Sequence, residues 1–375
     1  MIWIFCSRKL RQSFLGVKSM TDNQVLFGLD RAYGVGRLDV NRTGAYSPFV
    51  NGRNETVTVF PPTAGYASNV LKPDGTWLDT TGTTTSGLQE AINYSCGDGT
   101  AGSANYDLFI VGGEQPADGI YPGGGAVIYN CTSPLVFPAM QGKTISSNAI
   151  TLNFTGAIGS SPAVTFNSCL MVNVSLRGSQ IVNGGTGPAL SFAPEDGVPV
   201  DGALFGVHSI LDSNFYIMTV VNVNNSGAGG TANPVIEFVT SKATNTGINS
   251  NTFYFDEINQ QNSSSNSIGI VIQNPIVGST FSNNSITCLH NHNYTGIGLL
   301  YGVTASNQRI DNNYFHMLFN AHSGASRDLV VNGKTSTFMI YADTTYPAYM
   351  LEISNSAFNN LYICPKFVGP ILNNA

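Results

Sequence analysis

Charge is scarce in this chain. Only 10% of its 375 residues are Asp, Glu, Lys or Arg, against 42% apolar and 41 glycines. That argues against a helical enzyme, whose solvent faces carry Lys and Glu, and the apolar share argues against a disordered chain. The six cysteines (Cys6, Cys96, Cys131, Cys169, Cys288, Cys364) stand far apart with no Cys-x-x-Cys pair, so no zinc site is expected. Cys169 and Cys288 fall in apolar strand slots and read as packed free thiols. No stretch approaches the roughly 20 apolar residues of a membrane span. The glycines at Gly34–Gly36 and Gly123–Gly125 do not open helices, which removes phosphate-loop readings.

A secretion signal is missing as well. Ile2–Cys6 is too short for an apolar signal region, and the basic residues Arg8, Lys9, Arg11 and Lys18 follow it. Residues 1–19 therefore read as a basic extension, with Met20 as an alternative start, and release by cell lysis is expected over ordinary secretion. Without that extension the chain holds 12 basic against 22 acidic residues, a net −10. Such a body suits neither nucleic acid nor an anionic membrane.

What the chain has in plenty is Asn, Ser and Thr, arranged in a recurring phrase. It runs apolar, two small polar residues, Asn, any residue, apolar: Leu211–Asn214–Tyr216, Ile248–Asn251–Phe253, Phe281–Asn284–Ile286, Ile310–Asn313–Phe315, and finally Ile353–Phe358 with Ser356 in the Asn slot. Successive starts lie 37, 33, 29 and 43 residues apart, the range of stacked-coil architectures. The phrase alternates like a strand passing a polar corner, where Asn tolerates left-handed backbone. Stacked coil on coil, such Asn side chains can bond to one another. The fold expected is all-β, a single-stranded right-handed parallel β-helix.

One helix is expected near 86–94, capped by Thr85 or Ser86 and stopped by Gly97. Its narrow apolar stripe, Leu88, Ala91 and Ile92, suits a lid on one open end of a β stack. Residues 20–73 read as a small β-rich leader, with a turn at Pro73-Asp74-Gly75. From about residue 98 onward only strands are expected, and residues 366–375 form a tail. Strands that wind round a common axis return to parallel register without the helical crossovers parallel pairs usually need.

The capping helix, the strand Asp107–Val111, the Gly-rich turn, Tyr129–Phe137 and the run Asn173-Val174-Ser175-Leu176-Arg177-Gly178 together resemble the pectate-lyase-like superfamily over roughly residues 74–365. That superfamily includes pectate lyases, polygalacturonases and the trimeric tailspikes of bacteriophages. The resemblance implies a virion-surface protein (tailspike, fibre or capsid-attached spike) that recognises host polysaccharide as a homotrimer. The leader resembles a virion-anchoring segment, which would contact other virion proteins. Little chain follows Cys364-Pro365, so trimer contacts are expected through the coil faces or the leader. The alternative is a polysaccharide lyase or glycoside hydrolase. Against it, the chain lacks the Asp-Asp and Gly-His-Gly elements of the polygalacturonase set, and neither Arg177 nor Arg309 has a nearby acidic cluster.

Candidate chemistry is confined to a few residues, and no cofactor is expected. Glycoside hydrolysis needs two carboxylates roughly 5–10 Å apart, and Asp256 and Glu257 are the candidates. If Phe253 and Phe255 point inward, Asp256 points outward. The same alternation puts His316 outward two coils later, about 10 Å away with Leu289 between. Glu257 and His290 share a slot in adjacent coils. His290 and His292, two apart, face one side of a strand, but a metal would need a third ligand from another coil. Tyr254, Tyr294, Tyr301, Tyr314 and His292 make a surface with aromatic faces that suits carbohydrate. Glu195, Asp196 and Asp201 share a Pro- and Gly-bounded loop that reads as a solvated turn.

Overall fold

The computed structural model describes residues 49–50, 53–54, 56–62, 68–96, 106–113, 127–194, 209–223, 234–239, 247–260, 268–273, 280–294, 296–302, 309–321, 327–332, 336–342, 349–354, 360–363 and 371–374. The chain divides into two compact units, Met1–Glu55 and Thr56–Ala375. In the first, Phe49–Val50 pairs antiparallel with Arg53–Asn54. The basic extension and the rest of residues 1–48 lie outside the described residues.

The second unit is built from three sheets visited in turn. A representative coil runs Ser209–Leu211 in the third sheet, Asn214–Asn222 in the first and Pro234–Val239 in the second, before Gly247–Asn249 re-enters the third. Each strand pairs in parallel with its counterpart one coil on, for instance Phe215 with Phe253 and Ile236 with Ile270. Backbone donors and acceptors are thereby satisfied between coils, and no helix is needed to return the chain. The architecture is all-β and parallel β-helix-like. Among the described residues no helix is long and apolar enough to cross a membrane.

Inside, like side chains stack on like. Phe137, Phe166, Phe192 and Phe238 of the second sheet form a column with centroids 4.6, 5.5 and 4.8 Å apart. Phe215 and Phe253 of the first sheet stack at 5.1 Å and meet that column edge-on, Phe192 to Phe215 at 4.9 Å. Farther along, Phe315, Phe338 and Tyr362 continue the first-sheet column at 4.8 and 5.4 Å. Each buried ring contributes about 2–3 kcal/mol by leaving water.

The corner between the third and first sheets explains the asparagines. One residue per coil there is left-handed: Gly142, Met171, Asp212, Ser250, Asn283 and Asn312, with φ from 49° to 62°. The residue after it points inward and bonds to its neighbours. Asn251 Nδ2 donates to Asn284 Oδ1 at 3.1 Å and to Ile210 O at 2.8 Å; Asn284 Nδ2 donates to Asn313 Oδ1 at 3.0 Å and to Ile248 O at 2.7 Å. On either side of this run of three asparagines a serine takes the slot: Ser213 N donates to Asn251 Oδ1, and Ser336 Oγ accepts from Asn313 N.

Two of the expected repeats are corrected by this register. Ile210, not Leu211, pairs with Ile248, so Ser213 occupies the Asn slot and Phe215 faces inward. Two adjacent apolar residues and a following Asn214 disguised the one-residue offset. Ile353 belongs to the second sheet, paired with Val331, and the last slots are filled by Ser336 and Asn360.

Helix α1 spans Leu88–Cys96, displaced by two residues towards the C-terminus from the expected 86–94. Thr85 Oγ1 caps it by accepting from Gln89 N at 3.1 Å, while Thr83 and Thr85 donate to Glu90 Oε2. Leu88, Ala91 and Ile92 are wholly buried against the strands Thr56–Val59, Asp107–Ile110 and Leu135–Phe137. Buried Lys143 donates to Ser95 O near the helix C-terminus and to Tyr106 O. The Gln89 amide does two jobs at once, accepting from Val136 N at 2.8 Å and donating to Val136 O at 2.9 Å. It thus takes the place of a further strand beside Leu135–Phe137, the end strand of the second sheet.

Both expected boundaries of the coil body move outward. Thr56–Val59 pairs in parallel with Asp107–Ile110, and Val70–Leu71 and Trp77–Leu78 extend the same sheet as antiparallel strands around the Pro73-Asp74-Gly75 turn. Most of the supposed leader from residue 56 onward is therefore part of the stack. At the other end Ile371–Asn374, expected as tail, pairs with Leu351–Ser354.

Candidate functional site

The outer face of the first sheet carries most of the candidate residues, in columns set by the register. The outermost column runs Asn214, Thr252, Ser285, Tyr314 and Thr337; the next runs Tyr216, Tyr254, Thr287, His316 and Met339. Amide, hydroxyl and aromatic groups dominate both, because an exposed parallel strand must be soluble without burying charge between close neighbours.

Halfway along these strands the inward–outward alternation breaks. Phe253, Phe255 and Ile258 are buried, leaving Asp256 and Glu257 consecutive and both partly exposed. Ile286, Cys288 and Asn291 repeat the pattern around Leu289 and His290. In Tyr314–Ala321 the corresponding inward residues, Met317 and Phe319, are separated by one residue instead of two, and the register shifts there. This is a β-bulge, a device that re-aims side chains. Its effect is to turn Glu257 outward, where strict alternation would bury it.

Beyond the bulge Glu257 pairs with His290 and Asn259 with His292, as the shared-slot expectation required. The contact made is diagonal: His292 Nε2 lies 3.5 Å from Glu257 Oε1, and Asn259 Nδ2 donates to the same oxygen at 3.1 Å. The two imidazoles sit 6.4 Å apart and within 17° of parallel. Among the described residues no group of three or more His, Cys, Asp or Glu is arranged to hold a metal.

His316 departs from its expected place. It pairs with Thr287, which pairs with Tyr254, so it stands in the Tyr254 column and two residues along the strand from the Asp256 level. His316 lies ahead of the bulge, in the stretch where Phe315 and Met317 align without a break with Phe253 and Phe255, so it falls between those two and not after the second. Tyr301 is not on the surface at all: it is wholly buried, and its hydroxyl bonds Ser336 Oγ at 2.6 Å and Asn313 Nδ2 at 3.0 Å. There it fills the space that Ser336 leaves by being shorter than Asn. Tyr294 ends the strand Ser285–Tyr294, but its side chain is outside the described residues, as are Glu195, Asp196, Asp201 and Gly123–Gly125.

The aromatic faces are also less available than the sequence suggests. Tyr216 and Tyr254 stack on each other, 4.5 Å between centroids and 2° between planes, and the Arg177 guanidinium lies 5.6 Å from the Tyr216 ring. Burial, then the neighbouring Tyr216 phenol and the Asp256 carboxylate, push the Tyr254 hydroxyl up to about 12. A ligand therefore meets ring edges and hydroxyls on most of this column. Sequence reasoning passes over Thr287 and takes Tyr216 only as a repeat position and Arg177 only as a lyase candidate; that they share this face becomes visible only once the coils are in register. Farther along, Tyr314 and Tyr341 both donate to Met339 Sδ, at 3.7 and 3.4 Å, and His316 meets Tyr341 edge-on at 5.5 Å.

No family model, no curated protein and no solved structure matches this chain.

Proposed function

We propose that the chain is a bacteriophage virion-surface protein, a tailspike, fibre or capsid-attached spike, built as a single-stranded right-handed parallel β-helix. It recognises host surface polysaccharide, acts at the virion surface as a homotrimer, and meets other virion proteins through the segment before residue 56. The observation that carries the reading is the outer face of the first sheet. Its Asn, Thr, Ser, Tyr and His side chains, in columns one coil apart, offer a repeating set of hydrogen-bonding and ring-edge contacts to a repeating polymer. The low charge of the chain further supports contact with an uncharged, hydroxyl-rich partner. Binding of labelled capsular and O-antigen polysaccharides to the purified protein tests this, with light scattering for the trimer. Absence of binding across a broad panel would remove the adhesive role.

A second reading, a polysaccharide lyase or glycoside hydrolase, is favoured by the bulge that turns Asp256 and Glu257 outward together, with His292 3.5 Å from Glu257. On this reading the same incubations release new reducing ends or unsaturated uronates, and Asp256→Ala or Glu257→Ala abolishes that release. Full activity in both variants would exclude these two carboxylates.

A further inference from the structure

We propose that the rung occupied by Thr287 is a notch that receives one pyranose ring edge-on, between Tyr254 and His316. The inference rests on the polysaccharide reading above and gives it a location. Tyr216, Tyr254, Thr287, His316 and Met339 occupy one outward column in five successive coils. The first two rungs are closed, because each of those rings covers a face of the other and Arg177 lies beside Tyr216. The far face of Tyr254 looks along the column to the next rung, and there the side chain is only a threonine. One rung farther stands His316, steadied by Tyr341 at 5.5 Å.

Coils stack at about 4.8 Å, so the two walls of the notch are about 10 Å apart. A ring seated between them lies about 4.8 Å from each, close to the 4.5 Å that separates Tyr216 from Tyr254. That separation admits a saturated ring, which is thickened by its axial hydrogens, and the hydroxyl-bearing rungs around it favour a sugar over an apolar guest. The C–H groups of such a ring meet the electron-rich face of Tyr254. The Thr287 hydroxyl forms the floor, and Ser285, the preceding outward residue of the same strand, adds a second donor and acceptor. Because the notch is one rung wide, it selects a branch or terminal sugar over a run of main-chain rings.

Thr287→Tyr tests the notch by continuing the tyrosine column through it, and Thr287→Ser leaves it open. The probes are fluorescently labelled capsular and O-antigen polysaccharides, with individual methyl pyranosides as competitors. The expected result is a loss of roughly tenfold or more in affinity for Thr287→Tyr, with Thr287→Ser within about twofold of the parent. At least one methyl pyranoside competes with the bound polysaccharide. Undiminished binding by Thr287→Tyr overturns the notch while leaving the adhesive role standing; no binding by the parent protein overturns both. Should Thr287→Tyr fail to fold, Tyr254→Ala decides the matter, since removing one wall must weaken binding and unchanged affinity refutes the site.

Discussion

Asn251 Nδ2 donates to Asn284 Oδ1 at 3.1 Å, and the same oxygen also accepts from Asn251 N at 3.1 Å. Asn284 passes the pattern on to Asn313 and returns a bond to Ile248 O. The corner is thus cross-linked along the stack in an environment where Asn251, Asn284 and Asn313 are each 2% exposed. Asn284→Ala leaves several of these groups buried without partners and is expected to cost about 2–4 kcal/mol. Asn284→Ser, which keeps one acceptor as Ser213 and Ser336 do, costs less. Denaturant unfolding of the two variants measures the difference.

Ser336 and Tyr301 form a compensating pair. Ser336→Asn crowds the Tyr301 hydroxyl, now 2.6 Å from Ser336 Oγ, and is expected to destabilise by about 1–3 kcal/mol. Tyr301→Phe added to Ser336→Asn restores much of the loss, because the longer amide then bonds Asn313 directly. A double-mutant cycle by thermal unfolding reads the coupling; additive effects would contradict it.

Met171 holds a left-handed backbone at φ 55° with a side chain 62% exposed. Its column otherwise contains glycine, asparagine, aspartate and serine. Met171→Asn relieves the backbone without losing core contact, and a gain of about 1 kcal/mol is expected. The converse change, Asn312→Val, lowers stability by a similar amount.

The described thiols Cys96, Cys131, Cys169 and Cys288 are free and buried, so native protein resists alkylation until it unfolds. Burial, aided by Glu90, pushes the Cys131 thiol from its ordinary 9.0 up to about 12. Burial likewise raises the Tyr254 and Tyr362 hydroxyls from 10.0 to about 12. The folded chain therefore holds these protons more tightly than the unfolded one. The stability they contribute is complete below about pH 9 and is lost as pH rises towards 12. Melting temperatures across that window, with Cys131→Ala as comparison, check the slope.

Much of the coil architecture was legible because Asn251, Asn284 and Asn313 mark the same corner at similar spacings. Where serine took the slot, at Ser213 and Ser336, that marker vanished and the repeats were misplaced. Tyr301 escaped because an inward tyrosine with a polar partner looks, in sequence, like an outward one. The candidate site was read less well. Between Phe255 and Ile258 lie two residues, but between Met317 and Phe319 only one, and alternation alone cannot register that difference. Nor can a linear reading foresee that Tyr216 and Tyr254 would cover one another.

The amide of Gln89, paired with both backbone groups of Val136, has a consequence for how copies of the protein coexist. Parallel strands spaced at about 4.8 Å are also the repeat of amyloid, where an open edge templates the next chain. Here the donor and acceptor that a docking strand would seek on Val136 are already taken by a side chain, beside a helix that covers the apolar groups underneath. Fibrillar growth from this end of the second sheet is thereby obstructed by a single glutamine.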